Sequence, residues 1–383
     1  MIGIVGTNGK TTSTYMIKRI LESAGRKVGL IGTIKNMIGS ESLPTANTTP
    51  NALQLQKLLA KMVDAGVQDV VMEVSSHAIA LGRVKGIPYQ FGLFTNLTQD
   101  HLDFHKTFEA YRDVKTSFFH QLPSTGVAVI NHDDPNASYF INGTKAMIYT
   151  YGLDSSAQIY PDDVRFELTG IHFTAKTPLG DLPVAIRMAG QFNLYNALGA
   201  IGAGLALGVD IPTIGSALAN VTVHGRFEIV PGSKDFGVVV DYAHTPDGLE
   251  NVLKAAKNLN PNRLIAVFGC GGDRDRTKRP IMGEIASRYA EITIITSDNP
   301  RTESPEEIID EIEKGVCKGS NYKKIVDRRE AIRHAVATAL ADDFIVIAGK
   351  GHETYQIFAD RTIHFDDLEV AEEALEDKKN GRL

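Results

Sequence analysis

The chain has 383 residues, which at ~150 residues per domain implies two to three domains. Its 43% hydrophobic and 22% charged content excludes disordered, collagen-like and coiled-coil classes. Against 46 Asp+Glu the 40 Lys+Arg leave a net charge of −6, which argues against a nucleic-acid partner. The two cysteines, Cys270 and Cys317, build neither a disulfide framework nor a thiolate zinc cage, which favours a reducing, cytoplasmic setting. No apolar run approaches the ~18 residues of a membrane helix, and the opening MIGIVGTNGK has no apolar signal region, so neither secretion nor a membrane is expected.

In chain order, Ile2 to Val5 reads as a strand, then Gly6-Thr7-Asn8-Gly9-Lys10-Thr11-Thr12, then a helix with Ile17, Ile20, Leu21 and Ala24 on one face. Strand, glycine loop and helix is the arrangement in which backbone N–H groups cradle a polyphosphate, Lys10 reaches its outer phosphates and Thr11 holds Mg²⁺. Ile4 stands where the strict P-loop has its first glycine, so this is a variant with Gly3, Gly6 and Gly9. A second helix (Leu55, Leu58, Leu59, Met62) leads to a strand from Asp69 to Val74. Near its end Glu73 is either a metal ligand or the cap of the next helix. After a further strand at Phe94, His101, Asp103 and His105 stand at alternate positions, so imidazole and carboxylate are expected to converge on a cation. Beside a phosphate ligand that cation is Mg²⁺ rather than zinc; the alternative is a helix-capping Asp100 beside a core histidine.

From Gln158 to Arg187 the pattern becomes short alternating segments broken by Gly170, Gly180 and Pro183, which reads as hairpins appended to the sheet. Helices over Asn196 to Ala206 and Pro212 to Ala219 follow. After His224, Gly225 and Arg226 the alternation restarts, with strands at Gly237 to Val240, Leu264 to Phe268, Ile292 to Thr296 and Phe344 to Ile347, and a fraying tail from Glu376. The fold class is α/β. A P-loop ATPase domain with a mostly parallel sheet and appended hairpins is expected over 1–222, and a smaller Rossmann-like domain over 223–383.

A P-loop alone fits a GTPase, a kinase, a motor or a ligase. Further segments narrow this: TTP at 48–50, MEVSSHA at 72–78, FTNLTQDHLDFH at 94–105, GRFE at 225–228, DYAHTPDGLENVL at 241–253, FGCGGDRDRTKRP at 268–280, SDNPRTESPEEI at 297–308 and GKGHETYQ at 349–356. With GTNGKTT at 6–12 they resemble, in order and over the whole chain, the Mur ligase family, and within it the type that adds meso-diaminopimelate to a UDP-muramoyl dipeptide in peptidoglycan synthesis. The resemblance implies an ATP-dependent, ADP-forming amide ligase in which the γ-phosphoryl group activates a carboxylate and the amine attacks the acyl phosphate. Bringing anionic ATP against a carboxylate demands clustered cations.

The resemblance assigns residues as follows. Lys10, Glu73, His101 and Lys115 form the catalytic set; Thr11 and Glu73 hold one Mg²⁺, and His101 with an N6-carboxylated (carbamylated) Lys115 holds a second. The alternative for Lys115 is a solvated surface lysine. Gly6 to Thr12, Asn193 and Asn196 hold the nucleotide, and Arg226 and Asp241 close over it, with His244 a weaker candidate. Thr48, Thr49, Ser75 and Arg83 contact the muramoyl-peptide acceptor; at Leu81 some relatives carry a polar contact. Arg274, Asp298, Asn299, Pro300, Arg301, Gly349 and Glu353 take diaminopimelate, Arg301 with a planar fork for the distal carboxylate and Glu353 for an ammonium. The alternative for Arg301 is a surface ion pair ahead of the helix begun by Pro305. Because the first strand begins at Ile2, the family's N-terminal UDP-binding domain is expected to be absent: supplied by a separate polypeptide, lost by truncation, or not needed for a smaller, non-UDP acceptor such as folylpolyglutamate-type relatives extend. A noncatalytic nucleotide-binding subunit is the competing function, and retention of Lys10, Glu73, His101 and Lys115 favours the enzyme.

Overall fold

In the computed structural model, which describes residues 1–167, 170–232 and 235–383, the chain forms two compact units. The first comprises Met1–Arg165, Gly170–Arg187 and Gln191–Val221; the second is mainly Thr222–Leu383.

The first unit opens with β1 (Ile2–Val5), α1 (Lys10–Ser23), β2 (Val28–Ile31), β3 (Asn36–Ile38), β4 (Glu41–Leu43), α2 (Ala52–Asp64), β5 (Asp69–Glu73) and α3 (Ser76–Ala80). It continues through β6 (Phe91–Phe94), α4 (Leu102–His105), α5 (Phe108–His120), β7 (Val127–Asn131), α6 (Ala137–Asn142) and β8 (Met147–Tyr151). The strand order is β4-β3-β2-β5-β1-β6-β7-β8, parallel from β2 to β8. Strands such as IGIV, VGLI and FGLF are buried along their whole length because helices cover both faces of a parallel sheet. Chain order reverses direction across the sheet at β1, and a crevice at the carboxyl ends of such strands is where ligands bind in open α/β sheets. The register sets Ile4 beside Glu73 and Val5 beside Phe94, so the loop leaving β1 emerges between those two strand ends.

The expected hairpins form a separate antiparallel sheet of β9 (Tyr160–Glu167), β10 (Gly170–Thr177) and β11 (Gly180–Ile186). Helices α7 (Gln191–Ala206) and α8 (Ile211–Leu218) follow, α7 beginning five residues before the expected Asn196. On α1, Ile17, Ile20 and Leu21 are buried as expected, but Ala24 lies at the exposed C-terminal cap.

The second unit contains β12 (Glu228–Ile229), β13 (Gly237–Asp241), α9 (Pro246–Lys257), β14 (Leu264–Phe268), α10 (Lys278–Tyr289), β15 (Ile292–Ile295), α11 (Pro305–Glu313) and β16 (Tyr322–Lys324). Then come α12 (Arg328–Thr338), β17 (Phe344–Ala348), a small hairpin of β18 (Tyr355–Ile357) and β19 (Thr362–His364), and α13 (Asp367–Lys379). Its sheet runs β12-β13-β17-β14-β15-β16, parallel except for β12. The loops after the adjacent strands β17, β14 and β15 therefore gather at one edge. The expected frayed tail is instead helical to Lys379, because Asp366 caps α13 and Lys378 Nζ donates to the Val336 and Ala339 carbonyls at 2.7 and 2.6 Å.

Candidate active site

In the first unit the phosphate loop is held open by its own neighbours. Asn96 Oδ1 accepts from Asn8 N at 2.8 Å, Thr95 Oγ1 donates to Asn8 O at 2.6 Å, and Thr7 N donates to Asn96 O at 2.9 Å. Thr7 Oγ1 lies 3.1 Å from the Tyr111 hydroxyl and donates to Thr98 O. Lys10 Nζ folds back over the loop to the carbonyls of Gly6 (2.9 Å) and Thr7 (2.7 Å), and Thr11 and Thr12 are buried in the first turn of α1. That turn has no side-chain cap hydrogen bond, and a helix N-terminus without one suits an anion.

Gly9 precedes α1 with φ 81°, a left-handed conformation, and a Cβ there would lie 2.3 Å from Asn196 Oδ1. Asn196 is buried and tied to Asn193 Oδ1 (3.1 Å) and to Ser13 Oγ (3.4 Å), so it has little room to retreat. Replacing Gly9 with Ala is expected to weaken triphosphate binding about 10-fold or more, through ~1–2 kcal/mol of backbone strain plus the displaced Asn196. Titration calorimetry with a nonhydrolysable triphosphate would measure it; affinity within about twofold of the parent would refute the steric argument.

Glu73 is fully buried at the end of β5 and caps no helix; Ser75 Oγ caps α3 instead, accepting from Ala78 N. Its carboxylate accepts from Thr11 Oγ1 (2.9 Å), Thr33 Oγ1 (2.9 Å) and Thr33 N (2.8 Å). No lysine, arginine or histidine among the described residues lies within ion-pair distance of it. Beside it, Thr48 Oγ1 meets Thr33 Oγ1 at 3.1 Å, Thr49 Oγ1 donates to Glu73 O at 2.7 Å and accepts from Ser75 N, and Arg83 donates to Thr49 O at 3.2 Å. Thr48, Thr49, Ser75 and Arg83 thus gather around the Glu73 strand end, with Thr49 and Ser75 already engaged by the backbone. Leu81 is exposed.

Lys115 is 1% exposed on α5, which removes the surface-lysine alternative. Its Nζ donates to Gly6 O at 2.6 Å and lies 4.7 Å from the Tyr111 ring centroid. Burial, and secondarily the charge of Lys10, hold its ammonium well below the usual lysine range. His101 takes a left-handed backbone (φ 54°) ahead of α4, its ring edge-on to His77 at 4.7 Å and its Nε2 3.3 Å from Asp100 Oδ2. Burial, joined by the charges of His77, Lys10 and Lys115 and opposed by Asp100, pushes His101 down to about 4.

Leu102 to His105 form a helical turn, and the rings of His101 and His105, four residues apart, both pack against His77, at 4.7 and 5.6 Å. His105 is a buried histidine 2.9 Å from Ser76 Oγ, and the side chain of Asp103 lies outside the described residues. Among the described residues no set of three His, Cys, Asp or Glu side chains is arranged to hold a metal ion.

In the second unit Asp241 ends β13 and clamps the backbone, accepting from Phe227 N (2.7 Å) and Ala243 N (2.8 Å). Burial raises its carboxyl above the usual range, against the nearby charge of Arg226, whose guanidinium stacks 4.4 Å over the Tyr242 ring. His244 Nδ1 lies 2.9 Å from Tyr242 O in its own loop, its ring 4.5 Å from that of Tyr242.

A second polar site forms where the loops after β14, β15 and β17 meet. Asp298 Oδ1 accepts from Asn299 N at 2.6 Å, and Pro300 O accepts from Glu303 N at 3.1 Å, closing the turn. Gly349 has φ 121°, and a Cβ there would come within 2.6 Å of Asp298 Oδ2, so only glycine lets the two loops approach. Asn299 Nδ2 donates to Glu353 Oε2 at 2.8 Å. Arg301, in a left-handed conformation (φ 53°), donates through Nη1 to Gly272 O at 2.8 Å and is in no ion pair with a described carboxylate, which removes the surface ion-pair alternative. Arg274 is exposed at the rim, donating to Asp273 O. Behind the pocket the fully buried Arg328 pairs with Asp367 through two 2.7 Å bonds and donates to Ala348 O (3.0 Å) and Ser297 O (3.4 Å), tying the ends of β17 and β15 together.

Residues 4–204 match the Mur ligase middle domain, and residues 225–351 match the domain described as Mur ligase, glutamate ligase domain. The UDP-N-acetylmuramoyl-L-alanyl-D-glutamate–2,6-diaminopimelate ligase of Bacillus cereus is 49% identical over 388 residues, covering 100% of this chain and 79% of the relative. The chain belongs to the Mur ligase family. A Clostridium acetobutylicum ligase of the same name is 50% identical over 380 residues, with 98% of this chain and 78% of the relative covered. A solved structure of a ligase of that name superposes with a TM-score of 0.72 at 38% identity, over 99% of this chain and 78% of the other. The Mycobacterium tuberculosis folylpolyglutamate synthase reaches the same TM-score, 0.72, at 18% identity over 100% of this chain and 91% of the other, which shows the shared fold.

Two residues of this Mur ligase escaped the sequence reading. Thr33 joins Glu73 because β2 lies beside β5, a neighbour relation that needs the sheet order. Lys350 is fully buried beside Glu353, and its only signal was its place inside GKGHETYQ.

Proposed function

We propose that this Mur ligase consumes ATP to join meso-diaminopimelate to the carboxylate of a UDP-muramoyl dipeptide, with residues 1–222 handling the nucleotide and 223–383 the amino acid. The observation that carries the amino-acid choice is Arg301. Its guanidinium is bound to a carbonyl, is in no ion pair with a described carboxylate, and stands in the same loop as Asn299, whose amide reaches Glu353 in the loop after β17. A cationic fork beside an acidic socket suits an amino acid whose far end carries both a carboxylate and an ammonium.

The family implies Mg²⁺, and the donor set fits it. A fully buried carboxylate met by hydroxyl and amide donors with no described cation in reach is a site that a divalent cation would complete. Thr11 and Glu73 would hold one such ion and His101 with Lys115 a second, and bound there they would neutralise phosphate charge. Lys10 leaves the loop carbonyls to meet the outer phosphates, while the uncapped first turn of α1 receives the inner ones. Lys115 serves this set as its N6-carboxylate, since an unmodified ammonium repels a cation while a carbamate oxygen binds one. Phosphorylation removes the acceptor's negative charge and supplies a leaving group, and the diaminopimelate amine then attacks the acyl carbon. No helix among the described residues is long and apolar enough to cross a membrane; the free thiols of Cys270 and Cys317 support a cytoplasmic reaction.

Phosphate release from ATP tests this. It is expected to require diaminopimelate and a muramoyl-dipeptide carboxylate together, with the UDP handle lowering acceptor KM and lysine a poor substitute for diaminopimelate. No triphosphate consumption with any pairing of amine and acceptor would overturn the reading.

A further inference from the structure

Lys350 follows Gly349 at the end of β17 and is fully buried, an unusual place for an ammonium unless a counter-charge holds it. Its Nζ donates to Asn299 Oδ1 at 3.1 Å and to Glu353 Oε2 at 3.1 Å, with the Tyr355 ring 5.5 Å away. Asn299 closes the triangle, giving its Nδ2 to the same Glu353 Oε2 at 2.8 Å while its Oδ1 also accepts from Ile357 N at 3.0 Å. Both donors therefore engage one oxygen of Glu353. No hydrogen bond to the other, Oε1, is formed by the described residues.

We propose that Lys350 is a positioning residue of the amino-acid pocket: it is the buried counter-charge that keeps Glu353 an anion and fixes Asn299 against it, so that an incoming ammonium meets a formed carboxylate at Oε1. The inference deepens the proposed function and rests on it. The groups facing Glu353 are Lys350, Asp298, Arg328, Tyr242 and Tyr355. Burial and then Asp298 favour its protonated form, and Lys350 opposes them with both charge and hydrogen bond. On balance the carboxyl already lies above the usual range, so removing that opposition pushes it further toward the neutral acid, which is a weak partner for an ammonium. As pH rises the acid ionises without help, so the defect must fade.

The test is steady-state kinetics of the full chain with ATP, acceptor and diaminopimelate from about pH 6.5 to 9, comparing Lys350→Met, Glu353→Gln, the double variant and Lys350→Arg with the parent. Taking each variant relative to the parent cancels titration of the substrate. Lys350→Met is expected to raise diaminopimelate KM about 10-fold near pH 7, with kcat and ATP KM within about twofold, and the ratio is expected to shrink toward pH 9. Lys350→Arg restores part of the loss. In the Glu353→Gln background, where no charge needs holding, Lys350→Met adds nothing. An unchanged KM, or a pH-independent loss that adds to that of Glu353→Gln, would overturn the proposal. If Lys350→Met does not fold, the charge-neutral double variant against Glu353→Gln decides: equal KM supports the role and a further rise refutes it. A parent that ignores diaminopimelate overturns the proposed function itself, whereas a parent that uses it beside an indifferent Lys350→Met refutes this inference alone.

Discussion

Lys115→Ala is expected to lower turnover by about three orders of magnitude or more while leaving triphosphate binding within a few-fold of the parent, because the proposed N6-carboxylate would be an oxygen ligand worth several kcal/mol of phosphate-charge stabilisation. Binding survives because Lys10 and the uncapped turn of α1 remain. Lys115 sits 1% exposed and 2.6 Å from Gly6 O, so the substitution opens a hole directly behind the phosphate loop. Formate or acetate is small enough to enter such a hole, and millimolar amounts are expected to return part of the activity by replacing the lost carboxylate. Intact-protein mass should show the parent carrying one added CO₂ that the variant lacks. Full activity in Lys115→Ala would remove this residue from the chemistry.

Arg301→Ala is expected to raise diaminopimelate KM about 100-fold, the loss of one charge-assisted pair of ~2–3 kcal/mol, and to erase discrimination against lysine, with ATP KM unchanged. The loop should survive the change, since Arg301 holds it through a backbone bond to Ile357 O at 3.1 Å that the substitution keeps. Arg301→Lys keeps the charge but not the fork and is expected to fall between the two. Competition between lysine and diaminopimelate, read by product mass, checks the selectivity; retained preference would send the distal carboxylate elsewhere.

The parallel sheets were legible because their strands are unbroken apolar runs such as FGLF and LIAVF, and the phosphate loop because seven consecutive residues dictate it. The short antiparallel strands were not: β3, β4, β12, β18 and β19 are two or three residues long, too short to show a period. The helical turn of Leu102 to His105 was not legible, because four residues are too few to show a period; it follows the left-handed His101. Composition says lysines face water, so the burial of Lys115 and Lys350 could be seen only once their surroundings were assembled. Thr33 lay hidden for a related reason, since 40 residues separate it from Glu73 in the chain.

The Arg328–Asp367 pair has a consequence for biosynthesis. Asp367 opens α13, whereas the loops it steadies begin at Ser297, so a nascent chain still waiting for α13 would strand a guanidinium in the interior at a cost of several kcal/mol. A ribosome-tethered intermediate that lacks α13 can therefore own a finished phosphate cradle yet have no settled means of telling one amine from another.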